Sequence, residues 1–397
     1  PPTRGLIYDR NGIILAENVP VFSLELVPEK IENISETIEK LRGIIDISQE
    51  QEERFKKNLK RARRFSSIPL LDNLNDEQVA RFSVNRYKYP GVDVMATLKR
   101  HYPYADILTH SLGYVARLNQ SDLNRLITEG KDHNYKATRN IGKIGIERYY
   151  EDVLHGKVGY QEVEVNSRGR VIRTLKYVPP VSGQDIKLNI DVKLQSYIHK
   201  LLGGRKGAAV VVDPHDNGVL AMVSSPSYDP NAFVGGISNQ DYKALLTNRN
   251  RPLINRATLG TYSPGSTIKP FIAVAALKER SITPRTKVRS VGAWRVPNSS
   301  TRAFRDWLKW GHGNVDVTQS IEQSVNTFFY QIAYDMGIDS LSNWMMMFGF
   351  GESTGIDIFE ETSANMPTRT WKRNRFNKPW YIGDTIPVGI GQGFWST

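Results

Sequence analysis

The stretch Tyr262-Ser263-Pro264-Gly265-Ser266-Thr267-Ile268-Lys269 decides how the second half of the chain folds. Its Pro-Gly pair makes a turn, and the apolar run 271–277 that follows predicts a helix buried in a domain core. Pro270 fits the first turn of this helix, where its missing N–H is harmless. Ser266 and Lys269 are three positions apart, so an S-x-x-K pattern opens the helix with both side chains on one face.

Ser266 and Lys269 predict a nucleophile and its base. A serine hydroxyl is a weak nucleophile until a base takes its proton, and a desolvated lysine can be that base. We therefore expect the Lys269 amine to reach the Ser266 hydroxyl, beside a helix N-terminus that favours an oxyanion. Farther along, Ser324-Val325-Asn326 adds a hydroxyl and an amide in an S-x-N pattern. The sequence thus predicts a serine acyl-transfer site made of Ser266, Lys269, Ser324 and Asn326.

The composition of the chain indicates its general class and excludes several other kinds of site. A chain of 397 residues is long enough for two or more domains, and its 40% hydrophobic and 24% charged residues are typical of globular proteins. No apolar stretch approaches the length of about 20 residues that spans a bilayer. The absence of cysteine excludes disulfides, thiolate catalysis and cysteine–zinc sites. No cofactor motif is found.

The net charge of +12 leaves the class of partner open. A basic protein can bind nucleic acid, but no nucleic-acid reader motif or basic stripe with interleaved aromatic residues is found, and we predict no such partner. Attraction to anionic lipid headgroups or to acidic glycan–peptide strands explains the charge equally well. A solvated basic surface without a partner is the third interpretation.

Two regions differ in composition along the chain. All seven tryptophans lie beyond residue 290, and the N-terminal part alternates strand-like runs such as 21–27 with charged helices, one of them capped by Ser48. The stretch 178–183, with two prolines and a glycine, predicts a linker. We therefore expect an α+β protein with an N-terminal domain over 1–183 and a second domain over 184–397.

The second domain has a readable order of elements. Apolar spacing over 192–202 predicts an amphipathic helix, and the runs 208–212 and 219–223 on either side of Asn217-Gly218 predict a hairpin. A further helix is predicted over 328–336 and closed by Gly337.

Two other groups of residues could suggest binding sites. Asp306 and His312 could both bind a metal, but no third ligand follows at a fixed spacing, so we predict no metal. Trp307 and Trp310 are interpreted as core or loop packing rather than as substrate contacts.

Several blocks of the chain resemble class B penicillin-binding proteins, most closely the elongation-specific D,D-transpeptidases of rod-shaped Gram-negative bacteria. S-x-x-K followed by S-x-N is part of the signature of penicillin-recognising serine acyltransferases. The blocks that carry the resemblance are Arg4 to Gly12, Arg100 to Pro103 with His110, Gly113 to Val115, Gly142 with Gly145 to Glu147, Asn166 with Gly169 and Arg170, Tyr262 to Lys269, Arg305 to Trp307, Trp310 to Gly313, and Pro387 to Gly393.

The resemblance implies a non-catalytic pedestal of the dimerisation type over 1–183, followed by a transpeptidase domain with an antiparallel sheet flanked by helices. It implies stem peptides ending in D-Ala-D-Ala as substrates, β-lactams as covalent inhibitors through Ser266, and the glycan polymerase and scaffold proteins of the elongation complex as partners. It also implies an inner-membrane protein, held by an N-terminal anchor outside this chain, with its catalytic domain in the periplasm.

One departure from the family pattern is clear. The third family motif, Lys-Ser/Thr-Gly, does not occur in the sequence, so we expect the transpeptidase domain to be cut short before it. Two alternatives stay open: a β-lactamase or D,D-carboxypeptidase of the same fold, and a catalytically inactive penicillin-binding scaffold or sensor.

Overall fold

The computed structural model describes residues 1–60, 66–138, 140–165, 171–300 and 302–397. The chain divides into two compact units, Pro1–Leu253 and Ile254–Thr397. Asn166, Gly169 and Arg170 of the resemblance blocks lie outside the described residues. Helices and antiparallel strand pairs occur in both units, which confirms the α+β class.

The first unit contains most of the strands. They are β1 (Ile7–Tyr8), β2 (Ile14–Leu26), β3 (Ile68–Leu74), β4 (Val92–His101), β5 (Val115–Arg117), β6 (Asn140–Gly142), β7 (Tyr160–Val165), β8 (Val171–Val178), β9 (Ile186–Lys187), β10 (Gly207–Val212) and β11 (Val219–Ser225). Its helices are α1 (Ile34–Arg42), α2 (Gln49–Leu59), α3 (Asp76–Asn85), α4 (Thr109–Leu112), α5 (Gln120–Thr128), α6 (Gly145–Tyr149), α7 (Glu151–His155), α8 (Val192–Leu202) and α9 (Asn239–Thr247).

The long strand β2 is the centre of the N-terminal sheet. It pairs antiparallel with β1, β3 and β4, and β9 joins β1 in parallel. Leu24 and Leu26 of β2 are fully buried in a core shared with β3 and helices α1 to α3. Ser48 caps α2, as the sequence predicts, and its side chain and that of Gln51 form a reciprocal capping box.

The helix and hairpin predicted after residue 190 are confirmed. Asp191 caps α8 through the N–H groups of Lys193 and Leu194. Strands β10 and β11 pair antiparallel, and Asn217 takes a left-handed φ of 60° in the turn between them. A left-handed turn residue matches the twist of the two strands, which is why asparagine suits this position.

The stretch predicted as a linker is hydrogen bonded within the first unit. Lys157 and Val181 exchange backbone hydrogen bonds, and the Gly183 N–H donates to the Thr3 carbonyl at 2.8 Å. A Cβ atom on Gly183 would lie 1.8 Å from the Leu154 carbonyl oxygen, so only glycine fits this close approach. The compact division falls after Leu253. The domain boundary at 183/184 stays a prediction.

The second unit is mainly helical. Its helices are α10 (Lys269–Lys278), α11 (Val317–Glu322), α12 (Asn326–Met347), α13 (Arg369–Phe376) and α14 (Ile382–Val388), and its short strands are β12 (Val288–Ser290), β13 (Ala293–Trp294), β14 (Phe304–Arg305) and β15 (Gly313–Val315). The strands pair as β12 with β15 and β13 with β14. Helix α12 packs against α10 and α14 in the core of the unit.

One helix prediction is confirmed and another needs correction. Gly337 breaks α12 with φ 71° and ψ 166°, as predicted, but a second helical segment continues to Met347. Helix α10 is buried at Ile272 and Ala276, whereas Phe271 and Val274 are exposed, so the prediction of a wholly buried helix is wrong for one face. An almost uniformly apolar sequence contains no period from which the buried face could be read. Within the described ranges, no helix has both the length and the apolar character to cross a membrane.

Candidate active site

Ser266 lies on a tight turn that precedes α10. Residues Gly265–Ile268 form a 3-10 turn and Lys269 is the first residue of the α-helix, with Pro270 in its first turn. The S-x-x-K pattern therefore spans the junction of the two helices. The Ser266 residue is exposed, as a nucleophile must be to meet a substrate.

The turn before Ser266 rests on the glycine-rich segment near the end of the chain. The Gly265 N–H donates to the Gly391 carbonyl at 2.9 Å. A Cβ atom on Gly391 would lie 2.3 Å from the Gly265 carbonyl oxygen, and the φ of Gly391 is +68°. This close backbone contact explains why the 387–393 block belongs to the same part of the molecule as the S-x-x-K turn.

Lys269 is buried and makes three hydrogen bonds through its amine. Nζ donates to the Ser324 carbonyl at 2.9 Å, to Ser324 Oγ at 3.1 Å and to Asn326 Oδ1 at 2.8 Å. The ring of Phe329 lies 5.3 Å from Nζ. Since only 1% of Lys269 is accessible, these contacts fix the amine in one position.

Ser324 connects the lysine to the nucleophile. Its hydroxyl donates to Ser266 Oγ at 2.9 Å, while it accepts from the Lys269 amine. The backbone of Ser324 has a φ of 53°, a left-handed conformation that costs free energy for a residue with a Cβ. Such strained residues cluster where a side chain must be aimed, and here the strain directs Oγ toward Ser266.

The structure brings together all four residues that the sequence predicts. It differs in one contact: the hydrogen bonds of the Lys269 amine go to Ser324 and Asn326, and the path to Ser266 runs through Ser324. Helical spacing places Ser266 and Lys269 near each other, but the direction of the lysine side chain depends on α12, which spacing alone does not reveal.

Burial changes the acidity of the lysine. It lowers the pKa of the Lys269 amine from its ordinary 10.5 to about 8, while the negative charge of Asp306 acts in the opposite direction. A lysine with a pKa near neutral pH can act as a general base because a sizeable fraction of it is unprotonated. The site can therefore accept a proton from a hydroxyl and return it to a leaving group.

Asp306 lies beside the start of α12, a contact that sequence reasoning missed. Its Oδ2 accepts from the Thr327 N–H at 2.9 Å and from the Thr327 hydroxyl at 3.0 Å. His312 Nε2 lies 3.6 Å from Asp306 Oδ1, and both side chains are buried. Among the described residues, no cluster of three or more His, Cys, Asp or Glu side chains could hold a metal ion.

The two tryptophans interpreted as core or loop packing are on the surface. Trp307 is 62% exposed and Trp310 is 77% exposed. Of the two alternatives, packing in a core is therefore wrong, and packing in a loop fits the contacts of Trp307. Trp307 instead donates from Nε1 to the carbonyl of Gln323 at 3.2 Å, the residue directly before Ser324. Large aromatic side chains are buried so often that composition alone favours the core.

Comparison with known proteins links this site to a family. Residues 1–188 match the penicillin-binding protein dimerisation domain, and residues 207–397 match the penicillin-binding protein transpeptidase domain. The chain is 58% identical over 395 residues to the peptidoglycan D,D-transpeptidase MrdA of Escherichia coli (strain K12), and the match covers 100% of this chain and 62% of that protein. MrdA of Haemophilus influenzae is 56% identical, with 61% of its length covered.

A solved structure has the same fold over the whole chain. It is the complex between penicillin-binding protein PBP2 and MreC from Helicobacter pylori, which is 32% identical, with a TM-score of 0.85 over 100% of this chain and 73% of that one. The chain spans about 62% of the length of the first curated relatives it matches. The chain belongs to the penicillin-binding proteins that join a dimerisation domain to a transpeptidase domain.

Proposed function

We propose that the protein is a peptidoglycan D,D-transpeptidase that crosslinks stem peptides during elongation of the cell wall. The observation that carries the proposal is the chain of hydrogen bonds from Lys269 through Ser324 to an exposed Ser266. These three residues place a nucleophile, a proton relay and a base in contact, which is the arrangement that covalent acyl transfer needs. The identity of 58% to a D,D-transpeptidase supports the same activity.

The first half-reaction forms an ester on Ser266. With Lys269 neutral, the Ser266 hydroxyl donates to Ser324 Oγ and the Ser324 hydroxyl donates to Nζ, so that both protons shift as Oγ attacks the carbonyl carbon between the two D-alanines. The C–N bond then breaks. The departing amine of the last D-alanine takes a proton from the Lys269 ammonium by way of Ser324, and the acyl-enzyme remains.

The second half-reaction transfers the acyl group. The amine of another stem peptide attacks the ester carbonyl and gives a proton to the neutral Lys269 amine by way of Ser324. The ester C–O bond then breaks, and Ser266 Oγ takes a proton back from Lys269 through Ser324. Asn326 accepts from the Lys269 amine at 2.8 Å, so it orients the base, and its amide N–H is available to the substrate peptide. A β-lactam ring would be opened by the same attack and leave a long-lived ester on Ser266.

We infer a membrane-anchored protein with this chain in the periplasm and residues 1–183 as a pedestal. The PBP2 of Helicobacter pylori was solved as a complex with MreC, which supports a scaffold protein of the same kind as a partner here. A glycan polymerase that supplies the strands is the other expected partner. Copurification of the full-length protein with its own MreC homologue tests the first contact.

Product analysis separates transpeptidation from its alternatives. The full-length protein is incubated with glycan strands that carry pentapeptide stems, and the products are identified by mass spectrometry. Crosslinked dimers that disappear in Ser266→Ala but persist in Ser263→Ala, a neighbouring exposed serine, support the proposal. D-alanine release without dimers would mean that water is the acceptor, as in a carboxypeptidase or β-lactamase. A wild-type protein that forms neither product would support the inactive scaffold.

A further inference from the structure

The short segment Ser324-Val325-Asn326 is held from both sides by one loop, residues 306–312, which we call the 306–312 loop. On the C-terminal side, Asp306 Oδ2 accepts from the backbone N–H and the hydroxyl of Thr327. Ser290 Oγ lies 2.8 Å from the same Thr327 hydroxyl oxygen. Thr327 directly follows Asn326, so these bonds fix the first turn of α12.

The loop holds the N-terminal side of the segment through Gln323. The indole Nε1 of Trp307 donates to the Gln323 carbonyl at 3.2 Å, and His312 Nδ1 lies 3.1 Å from Gln323 Oε1. His312 and Asp306 approach each other within the loop, with 3.6 Å between Nε2 and Oδ1. The Asp306 carboxylate also accepts from the Trp307 N–H at 2.8 Å. Buried contacts within the loop thus connect its anchor at Thr327 with its anchor at Gln323.

The segment between the anchors needs this support. Ser324 has a left-handed φ of 53°, and a residue keeps such a conformation only when its surroundings determine it. Val325 is fully buried. Its packing stabilises the segment but does not orient the hydroxyl of Ser324. Charge-assisted hydrogen bonds to a buried carboxylate are the strongest of the contacts that fix this turn.

We propose that the 306–312 loop is a clamp on the Ser324–Asn326 segment and that Asp306 is a positioning residue for acyl transfer. Through Thr327, Asp306 fixes the Ser324 hydroxyl between Lys269 and Ser266 without touching substrate. This inference rests on the proposed function, since it assigns Asp306 a part in the same acylation. This role of the 306–312 loop depends neither on a bound metal ion nor on burial of its tryptophans in a core.

Asp306 also acts on the charge of the site. Its carboxylate favours the protonated form of the Lys269 amine, against the effect of burial. The other groups around that amine are the neutral Ser324, Asn326 and Phe329. Tyr330, on the same helix as Asn326, has a pKa raised to about 12 by burial and by the Asp306 charge, so it is neutral near pH 7. Removing the carboxylate should therefore lower the pKa of Lys269 further.

Asp306→Asn separates positioning from stability. The amide has one acceptor oxygen, so it cannot accept from both Trp307 and Thr327 as the carboxylate does. In the full-length protein, the acylation rate by a fluorescent penicillin at high pH should fall by up to about 100-fold, the cost of a displacement of about 1 Å. The midpoint of the rise in rate with pH should shift to lower pH. Asp339→Asn, which removes an exposed carboxylate of the same unit, should change neither quantity.

Thr327 provides a second pair of variants with less risk of unfolding. Thr327→Val removes the hydroxyl that bonds to Asp306, whereas Thr327→Ser keeps it. Slow acylation by the valine variant with recovery in the serine variant supports the clamp. A wild-type rate and midpoint in both Asp306→Asn and Thr327→Val would overturn it, as would a slower rate with an unmoved midpoint and a matching loss of thermal stability. A wild-type protein that takes up no penicillin would overturn the proposed function together with this inference.

Discussion

Ser324 lies between the base and the nucleophile, and this position decides how a proton can move. The hydroxyl accepts from Lys269 and donates to Ser266 in the same geometry, so it can pass a proton in either direction. A relay of this kind lets the buried amine serve a nucleophile that stays exposed to substrate.

Lys269→Ala should slow acylation by a β-lactam about 10²–10⁴-fold, the usual cost of losing a general base. The initial, non-covalent binding should change far less, because the amine bonds to Ser324 and Asn326. Stopped-flow acylation at several penicillin concentrations separates the two quantities. Lys278→Ala, at the exposed end of the same helix, is the matched control. An unchanged acylation rate with weaker binding would mean that Lys269 only anchors a carboxylate.

The pH dependence of acylation gives an independent check on the same amine. Lys269 acts as a base only when it is neutral, and burial lowers its pKa to about 8. The acylation rate constant should therefore be small near pH 6, rise through a midpoint close to pH 8 and level off above it. A rate that is flat or falls over pH 6 to 10 would exclude a neutral lysine as the base.

Residue types in the sequence were sufficient to predict the four chemical groups but not all of their contacts. Ser266, Lys269, Ser324 and Asn326 could be recognised by spacing. The anchoring of Thr327 by Asp306 could not, because it joins two segments through a backbone N–H, which no side-chain pattern marks. Whether Trp307 packs in a core or in a loop stayed open for a related reason: its exposure follows from the path of the loop and not from its hydrophobicity.

At the scale of elements, the S-x-x-K turn depends on a contact between two glycines. Gly265 and Gly391 approach so closely that a Cβ atom on the latter would meet the Gly265 carbonyl oxygen at 2.3 Å. The turn is a 3-10 turn, and the α-helix begins only at Lys269. The sequence predicted the helix from its apolar run, but the start of a helix is always harder to place than its existence.

Gly391→Ala should destabilise the second unit and slow acylation. The left-handed φ of +68° alone costs a residue with a Cβ about 1–2 kcal/mol, and the clash with Gly265 adds to that cost. Thermal unfolding followed by tryptophan fluorescence measures the loss, since all seven tryptophans lie beyond residue 290. Gly383→Ala, in helix α14 with open space around its Cβ position, should be neutral or stabilising. Equal behaviour of the two variants would contradict the proposed role of the glycine contact.

At the scale of the whole molecule, three distant segments of the first unit meet in one buried ionic cluster. Glu147 is fully buried and pairs with Arg4 at 2.6 Å and with Arg100 at 2.7 Å. Tyr102 donates from its hydroxyl to the same carboxylate at 3.1 Å. Arg4, Arg100 and Glu147 belong to three separate resemblance blocks, so the cluster explains why those blocks occur together. The order of these blocks could be read from the sequence, whereas their contact in one cluster is seen only in the folded structure.

Glu147→Gln should destabilise the first unit by about 3–5 kcal/mol, because it leaves the buried Arg100 guanidinium without its carboxylate, whereas Arg4 keeps its pair with Glu151 at 2.7 Å. Hydrogen exchange of β2 and α6 is the measurement, since this unit has no tryptophan in its described residues. Glu164→Gln, which breaks an exposed pair with Arg173, should cost no more than about 1 kcal/mol. Equal protection in the two variants would mean that the cluster does not stabilise the unit.

The same carboxylate makes the stability of the first unit sensitive to acid. Burial by itself would raise the pKa of Glu147, but the guanidinium groups of Arg100 and Arg4 lower it below the ordinary 4.5. Its contribution is therefore complete above about pH 4.5 and is lost as the pH falls through the lowered value.

The central claim is that Ser266 forms the covalent intermediate. The full-length protein is treated with benzylpenicillin, digested, and the modified peptide is sequenced by mass spectrometry. We expect one penicilloyl adduct, located on Ser266, that is absent from Ser266→Ala while Ser263→Ala reacts as the wild type does. An adduct on any other residue, or undiminished labelling of folded Ser266→Ala, would contradict it.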